Sequence, residues 1–325
     1  MSRAWLVAST ALFASGCATA YLQATGQFAV AAREGAGSLA SAFDLSTQLC
    51  RDRADLAYLL PRLKAEYGAE ASFGAAPLRS VWWTDKSGGT NSWADHCGAI
   101  EAADGAHRNG LQVIIAYGWA LQSVVGQGQF QGDDLRSVAS SAAQLTQKIG
   151  GGGAAGYTGA IAGVGTPITM FTDFLLSKIV ANDLRKDIGA ADPAFQKVLD
   201  KLLAYVDASG ELQLLDLTET LGEVLDEIEG GLGAKGALAD PVRGIAYYDF
   251  AAHWEARLRY YRHSIDATKK VIQDLKAAHN ALRSAGDGDG AIRTDDLKKM
   301  GGFAAAVIAD AAYFRAQIAA SLGTP

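Results

Sequence analysis

A stripe of apolar residues with helical spacing runs through the C-terminal third of the chain and limits how this part can fold. Asp240-Pro241 opens the stripe, and aspartate followed by proline is typical of an N-cap and the first helical position. The stripe then recurs at three- and four-residue steps through Ile245, Tyr248, Ala252, Leu258, Tyr261, Ile265, Ile272, Leu275, His279 and Leu282. This pattern predicts one amphipathic helix of about 45 residues.

The same period recurs along the rest of the chain. It predicts a first helical region that runs to about Tyr67 with a kink at Pro61, and a second that starts after Ser92 and exceeds about thirty residues. The stretch from Gly68 to Asn91 contains glycine and proline and is predicted to be a loop. Further helix starts are predicted at Asp133, Thr166-Pro167, Asp192-Pro193 and Thr294, with a break expected at Ser209-Gly210.

No segment shows convincing two-residue alternation, so the predicted fold class is all-α, an elongated antiparallel helical bundle with long helices. Residues 17–229 are expected to form an N-terminal bundle, and residues 241–325 a long helical hairpin packed on it. The glycine-rich stretch 230–240 is the predicted linker. The chain has 325 residues and a formal net charge of −6, so nucleic acid is not expected as a partner.

The N-terminus has the layout of an export signal. Arg3 precedes an apolar run from Ala4 to Phe13, which is too short to span a membrane permanently. The residues Ala14-Ser15-Gly16-Cys17 resemble the lipobox of bacterial lipoproteins, with Ala14 where that family usually has leucine. The alternatives are an ordinary signal peptide with a coincidental Cys17, or a core helix of a cytosolic protein.

This resemblance implies a cellular location and a membrane anchor. Residues 1–16 would be removed as a signal peptide, and Cys17 would carry acyl chains such as palmitate. Two or three chains suffice for stable anchoring, so the mature chain is expected to sit on a membrane without spanning it. In the Gram-negative family, a residue other than aspartate after the cysteine favours the outer membrane. Ala18 therefore implies the periplasmic face of that membrane.

A second segment is similar to part of a broader group. Tyr117-Gly118-Trp119-Ala120-Leu121, followed by a glycine- and alanine-rich helix, is similar to segments of uncharacterised all-helical lipoproteins of Gram-negative bacteria. This resemblance implies no activity.

Acylation of Cys17 would leave one pair of cysteines, Cys50 and Cys97. An even pair in an oxidising compartment is the arrangement expected of one structural disulfide. Closing a loop of nearly fifty residues would contribute about 4 kcal/mol of stability in the chain-entropy model. The alternative is two buried free thiols.

Familiar catalytic motifs are missing from the sequence. It contains no zinc-binding helix with two histidines around a glutamate, no nucleophile elbow and no phosphate-binding loop. Asp104 with His107, and Asp249 with His253, share helix faces, as half of a metal site or as ordinary hydrogen-bonded pairs. We therefore expect neither an enzyme nor an obligatory cofactor.

The stretch before the last predicted helix resembles a calcium-binding EF-hand loop. Asp287 and Asp289 stand at the third and fifth ligand positions, and Asp296 at the twelfth. However, Ala285 stands where the first aspartate ligand is needed, and Asp296 is shorter than the usual glutamate. The preferred interpretation is a glycine-rich turn whose acidic residues head the next helix.

Two aromatic or basic clusters suggest surface binding. Trp82 and Trp83 lie in the predicted loop, where they would stack on a sugar ring or plug the loop onto the bundle. Arg257, Arg259 and Arg262 interleave with aromatic residues and would meet an anion or lipid headgroups. Because these arginines spread around the helix, a solvated surface is the preferred interpretation.

The longest uncharged stretch after Cys17 runs from Ile149 to Thr172. Its length matches the roughly 20 residues of a membrane-spanning helix. Insertion would place the helix start at Thr166-Pro167 inside the span, so a glycine-rich turn between packed helices is preferred. Small residues at the spacing that favours close helix contact in lipid are Gly152, Gly156, Gly159 and Gly163.

The sequence thus predicts a non-enzymatic lipoprotein, tethered to the membrane through Cys17, that binds another envelope protein or supports the envelope. The second prediction is a membrane-active helical protein that uses segment 149–172. It would be similar in outline to helical pore-forming proteins.

Overall fold

The computed structural model describes residues 4–67, 82–84, 90–127, 184–234, 241–287 and 292–322. The predicted all-α fold class with long helices is confirmed. The α-helices within these ranges are α1 (Ala4–Tyr67), α2 (Trp93–Gln127), α3 (Leu184–Tyr205), α4 (Leu212–Ala234), α5 (Pro241–Gly286) and α6 (Thr294–Leu322). A π-helical turn, Val206–Glu211, joins α3 and α4.

Several helix boundaries follow their local sequence signals. α5 starts at Pro241 and spans 46 residues, α2 starts directly after Ser92, and α6 starts at Thr294. Pro61 lies inside α1, which continues to Tyr67. The helix starts predicted at Asp133 and Thr166-Pro167 lie outside the described residues.

The helix start predicted at Asp192-Pro193 is wrong. α3 begins at Leu184 and runs through Pro193. The Asp192 carboxylate bonds to His279 and Arg283 of α5 instead of capping a helix. Pro193 is exposed, so its ring has room on the outer face of α3, although a proline inside a helix costs roughly 3 kcal/mol. The tertiary contacts of Asp192 outweigh the local capping signal.

Two short strands lie within the stretch that the sequence predicts as a loop. β1 (Trp82–Thr84) and β2 (Thr90–Ser92) pair antiparallel, with Trp83 opposite Asn91. Tryptophan and threonine favour extended backbone. Three residues are too few for the alternation over about four to eight residues by which a strand is recognised in a sequence.

The described helices pack as two compact units that do not follow the order of the chain. Unit 1 contains residues 1–41, 106–204 and 267–325, and unit 2 contains residues 42–105 and 205–266. α4 extends to Ala234, so the first residues of the predicted 230–240 linker are helical. Residues 235–240 lie outside the described ranges.

The core of unit 1 forms around Phe28 of α1. This side chain is fully buried, and its ring contacts Tyr117 of α2, Phe195 of α3 and His279 of α5. Four helices therefore meet at one level of unit 1, where their aromatic rings pack together.

Helix directions in unit 1 are those of an antiparallel bundle. Tyr21 lies against Gly286, and Gly35 lies against Leu275, so α5 runs antiparallel to α1. α2 is also antiparallel to α1, whereas α3 and α6 run parallel to it.

The predicted disulfide is confirmed and lies in unit 2. Cys50 of α1 and Cys97 of α2 are bonded, with their Cα atoms 5.6 Å apart. The bond closes a loop with a sequence separation of 47, which stabilises the fold by about 4 kcal/mol in the chain-entropy model.

The apolar stripe of α5 is buried along part of its length. Tyr261, Ile265 and Leu275 are buried. Ile245 and Tyr248, near the start of α5, are 61% and 67% exposed although they belong to the same stripe. Helical spacing identifies an apolar face but does not show which part of it a partner covers.

Candidate functional site

Unit 2 has an open groove between α4 and α5, next to the π-helical turn. The groove has a volume of about 320 Å³, at the lower end of the roughly 300–1,000 Å³ typical of ligand pockets. Its apolar lining consists of Leu214, Leu215 and Ile265. Its polar lining consists of Glu211, Thr218, Arg262 and Asp266. Such a groove accepts a large apolar side chain and offers charges at its rim.

The π-helical turn determines where this groove lies. Ser209-Gly210, where the sequence predicts a break, lies in that turn. A β-carbon at Gly210 would lie 3.4 Å from Ile265 Cγ1, so α5 packs directly on the backbone at this level. One helical turn further along α4, the groove opens beside Leu214 and Leu215. π-helical turns are frequent at functional sites.

The outer face of α4 is apolar at its start and acidic beyond. Leu212 and Leu215 are 59% and 54% exposed. Glu219, Glu223 and Asp226 follow at helical spacing on the same face and are exposed. Between residues 206 and 234 the sequence contains acidic residues but no lysine or arginine. We name Glu219, Glu223 and Asp226 the acidic row.

Unit 1 contains a buried polar network that the sequence analysis did not identify. The Tyr117 hydroxyl lies 3.0 Å from His279 Nε2, and His279 Nδ1 lies 2.8 Å from Asp192 Oδ1. Gln196 Nε2 donates to the same carboxylate oxygen at 3.1 Å. Arg283 Nε lies 3.1 Å from the other oxygen. We name these five residues the Tyr–His–Asp network.

A single arrangement of protons satisfies both nitrogens of the imidazole. Tyr117 donates to Nε2, and the Nδ1–H of neutral His279 donates to Asp192. Burial lowers the pKa of His279 despite the opposing effect of Asp192, and burial raises the pKa of Tyr117 well above its ordinary value. Burial is the largest influence on the Asp192 carboxyl and favours its protonated form. The hydrogen bonds from His279 and Gln196, together with charge interactions with His279 and Arg283, outweigh burial and lower the pKa of this carboxyl. Near neutral pH, therefore, only the aspartate of these three is charged.

The order tyrosine, histidine, aspartate resembles the nucleophile, base and orienting carboxylate of covalent catalysis. A reacting group must, however, be reached by its substrate. Tyr117 is 1% exposed and His279 is fully buried. The His279 ring also stacks on Phe195, with 4.3 Å between the centroids. The geometry therefore suits the positioning of three helices better than it suits chemistry on a substrate.

The Tyr117-Gly118-Trp119 segment has packing contacts throughout. A β-carbon at Gly118 would lie 2.7 Å from the Ala29 carbonyl oxygen, so the backbones of α1 and α2 come into contact there. The half-exposed Trp119 receives the Arg33 guanidinium 3.8 Å from its ring centroid. Each of the three residues thus joins α2 to another helix of unit 1.

A second buried network, in unit 2, corrects the interpretation of Arg257 as a solvated residue. Arg257 makes a bidentate ion pair with Asp52, in which Nη2 lies 2.8 Å from Oδ1 and Nε bonds to Oδ2. Tyr261 also donates to Oδ2 at 2.5 Å. The Asp52 side chain is 4% exposed. Arg259 and Arg262 are exposed, as the sequence predicts.

Asp104 is fully buried in unit 2. Its carboxylate accepts hydrogen bonds from Thr47 Oγ1 at 2.8 Å and from the Tyr205 hydroxyl at 2.7 Å. These bonds hold α1, α2 and the end of α3 together within this unit. Throughout the described ranges, no group of three or more histidine, cysteine or acidic residues is arranged to hold a metal ion.

The predicted calcium ligands that the structure describes are engaged in ion pairs. Asp287 lies 2.7 Å from Arg283 Nη1, and Asp296 lies 3.3 Å from Lys299 Nζ. Asp289 lies outside the described residues. Calcium binding stays the alternative to a glycine-rich turn, and a calcium ion would have to displace or tolerate these two cations.

The remaining sequence-predicted sites are described only in part. Cys17 lies in α1, and its acylation stays a prediction. The backbones of Trp82 and Trp83 lie in β1, but their side chains lie outside the described part of the chain. Segment 149–172, with Gly152, Gly156, Gly159 and Gly163, also lies outside it. In the described ranges, no helix has both the length and the apolar character needed to cross a bilayer.

The chain was compared with models of protein families, with curated proteins and with solved structures. None of the three comparisons found a significant match.

Proposed function

We propose that this protein is an outer-membrane lipoprotein of the bacterial envelope, anchored through Cys17 and facing the periplasm. Its helical bundle would act as a non-enzymatic module that binds another envelope protein or supports the envelope. After removal of residues 1–16, α1 would run without a break from Cys17 to Tyr67, and this continuity supports the proposal. Tyr21 is 3% exposed and lies one helical turn after Cys17, about 6 Å along the axis.

The contacts of Tyr21 support a rigid attachment. Its hydroxyl packs against Gly286, and the Arg185 guanidinium lies 5.6 Å from its ring centroid. An acyl anchor on Cys17 would hold this part of unit 1 at the lipid headgroups without a flexible linker. We name the region around Tyr21, Arg185 and Gly286 the anchor end of unit 1.

The positions of the buried polar groups and of the exposed groove support binding rather than catalysis. The Tyr–His–Asp network, whose order of groups resembles a catalytic one, buries Tyr117 and His279. The groove of unit 2 is open, and its rim combines the apolar Leu215 with charged Arg262 and Asp266. Apolar surface with nearby charges is what a protein partner recognises.

The anchor is tested by the mass and labelling of the mature protein. Wild-type protein from a Gram-negative host should have the mass of residues 17–325 plus acyl chains, and should incorporate a palmitate analogue. Cys17→Ala should abolish the label, because the acceptor sulfur is lost. Ser15→Ala keeps small residues before the cysteine and should stay labelled. An unmodified Cys17 in the wild type would contradict the anchor.

A second candidate function is membrane activity through segment 149–172. The described residues on either side of the connection that contains this segment lie toward the anchor end of unit 1. Near the end of α2, Val125 lies against Gly26, and near the start of α3, Arg185 lies against Tyr21. An anchor at Cys17 would therefore bring the described flanks of this connection close to the bilayer. The length of the uncharged stretch matches the roughly 20 residues of a spanning helix.

This second function is tested with vesicles that contain a self-quenched dye. Wild-type protein should cause leakage, and Ala162→Asp should abolish it, because a charge in the middle of the segment opposes insertion. Ala162→Ser is the matched uncharged control and should leak like the wild type. Intact vesicles with all three proteins would exclude membrane activity and leave the anchored binding module.

A further inference from the structure

We propose that the α4–α5 groove of unit 2 binds a basic amphipathic helix of a partner protein. The partner would place an apolar side chain beside Leu214, Leu215 and Ile265, and its cations along the acidic row of α4. This inference rests on the proposed binding role, for which it names the surface and the chemistry of the partner. It does not depend on acylation of Cys17.

The apolar part of the groove accepts one side chain. Leu214 and Ile265 are 8% and 7% exposed, whereas Leu215 at the rim is 54% exposed. A leucine or phenylalanine of a partner would remove apolar surface from water on both proteins. Because Leu212, about two helical turns before Glu219, is 59% exposed, the apolar contact continues beyond the groove onto the outer face of α4.

The acidic row extends this surface in one direction. Glu219, Glu223 and Asp226 recur at four- and three-residue steps, so their carboxylates follow one another about every helical turn of 5.4 Å. Lysine or arginine residues at the same steps on a partner helix would lie opposite them. This arrangement of apolar anchors and flanking charges is the helix-in-groove mode of recognition.

The charges of the surface exclude two other occupants. An anionic lipid surface would be repelled by the acidic row, since such surfaces attract basic segments. A second copy docked α4 against α4 would bring like charges together, which costs binding energy. At the rim, Asp266 also attracts a cation, whereas Arg262 repels one. The cations of the partner are therefore expected on the α4 side.

A labelled peptide tests the proposal directly. The probe is a synthetic helix of about 18 residues, with leucines at i, i+4 and i+7 and lysines on the flanking positions, read by fluorescence anisotropy. The protein is the full chain in discs of zwitterionic lipid, with empty discs as the baseline. We expect saturable binding that weakens as salt is raised, because exposed charges are screened. A peptide with glutamate in place of lysine should not bind.

Two kinds of variant separate the apolar and the charged contributions. Leu215→Ser should weaken binding about tenfold, as expected for the loss of one apolar contact. Glu219→Gln combined with Glu223→Gln should weaken binding by a similar factor of about ten and reduce its salt dependence. Tyr313→Ser replaces an equally exposed apolar side chain, 55% exposed in α6, and should leave binding unchanged.

Several results would overturn the proposal. These are no binding above empty discs, binding of the glutamate peptide, or equal loss in Leu215→Ser and Tyr313→Ser. Self-association that Leu215→Ser abolishes would assign the groove to a second copy instead. The mass of the protein, which shows whether Cys17 is acylated, is measured on the same preparation. A missing anchor and an inactive groove therefore give different results.

Discussion

His279 joins three helices of unit 1 through one buried ring. It connects α5 to α2 through Tyr117 and to α3 through Asp192. Burying a polar group without partners is costly, but both imidazole nitrogens have one here. The ring is also packed against the aromatic rings of Phe28 and Phe195. The Tyr117 ring makes a third such contact. A side chain with two hydrogen bonds and three ring contacts specifies the relative positions of its helices.

The buried imidazole should make the stability of unit 1 depend on pH. The unfolded chain takes up a proton near the ordinary histidine pKa of about 6.5, whereas burial lowers the pKa of His279 in the folded state. At pH values between the folded and the unfolded pKa of His279, the unfolded state binds more protons than the folded state. The free energy of unfolding should therefore decrease as pH falls below about 6.5, by up to about 1.4 kcal/mol per pH unit for one group. His279→Gln should flatten this slope in urea unfolding measured between about pH 7.5 and pH 5.

Tyr117→Phe is the matched control for this prediction. It removes the hydrogen bond to Nε2 and should lower the free energy of unfolding by about 1 kcal/mol. It should retain the wild-type pH slope, because His279 stays buried. The prediction fails if His279→Gln keeps the wild-type slope.

At the scale of helices, small residues determine how closely the axes approach. A β-carbon at Gly118 would lie 2.7 Å from a backbone oxygen of α1, which cannot move without shifting the helix. A β-carbon at Gly35 would meet only side-chain atoms, the nearest being Val307 Cγ1 at 2.8 Å. Gly118 therefore sets the distance between α1 and α2 more strictly than Gly35 sets that between α1 and α6.

Gly118→Ala should destabilise unit 1. Overpacking of a well-packed contact typically costs about 1–3 kcal/mol, which exceeds the gain of about 1 kcal/mol from replacing glycine by alanine in a helix. Gly37→Ala is the control, because among the described residues nothing lies within 4 Å of a β-carbon placed there. It should raise the midpoint of thermal unfolding, whereas Gly118→Ala should lower it. Equal shifts of the midpoint would show that the contact between α1 and α2 is not tight.

Pro193→Ala should stabilise α3. The proline interrupts the backbone hydrogen bonding of a helix that starts at Leu184, and it is exposed, so little packing is lost with its ring. Restoring the N–H and removing the ring clash should raise the free energy of unfolding by about 1–3 kcal/mol. Chemical denaturation measures this change. A decrease in stability would mean that the ring of Pro193 makes contacts that the exposed position does not suggest.

At the scale of the whole molecule, the proposed anchor determines how unit 1 meets the membrane. Cys17 lies one helical turn before the buried Tyr21. The start of α6 is also near this end, because the backbone N–H of Arg293 donates to the Ala285 carbonyl of α5 at 3.4 Å. With acylation at Cys17, as proposed, the orientation of unit 1 on the bilayer would follow from the position of this residue.

Two single labels test this orientation. Asp295 is 87% exposed near the anchor end, and Tyr313 lies about 27 Å further along α6 at 1.5 Å per residue. In the lipidated protein on vesicles, a fluorophore at Asp295→Cys should be quenched by headgroup-attached quenchers, whereas one at Tyr313→Cys should be quenched much less. Equal quenching at both positions would indicate a flexible attachment and contradict a rigid anchor end.

Features that depend on neighbouring residues were predictable from the sequence. The starts of α2, α5 and α6 follow from Ser92, Pro241 and Thr294, because capping and proline preferences act within one turn. The all-α class follows from apolar spacing, which repeats within each helix. The Cys50–Cys97 bond was predictable once Cys17 was assigned to acylation, because the two remaining cysteines leave one pairing.

Features that depend on distant residues required the tertiary structure. Tyr117 and His279 are 162 positions apart, and Arg257 and Asp52 are 205 apart, so no local pattern pairs them. For the same reason Asp192 was mistaken for a cap. The groove forms only where α4 and α5 pack, although the break at Ser209-Gly210 was anticipated. Local signals act over one helical turn, whereas the choice of partner for a buried charge or an apolar face depends on which helices pack together.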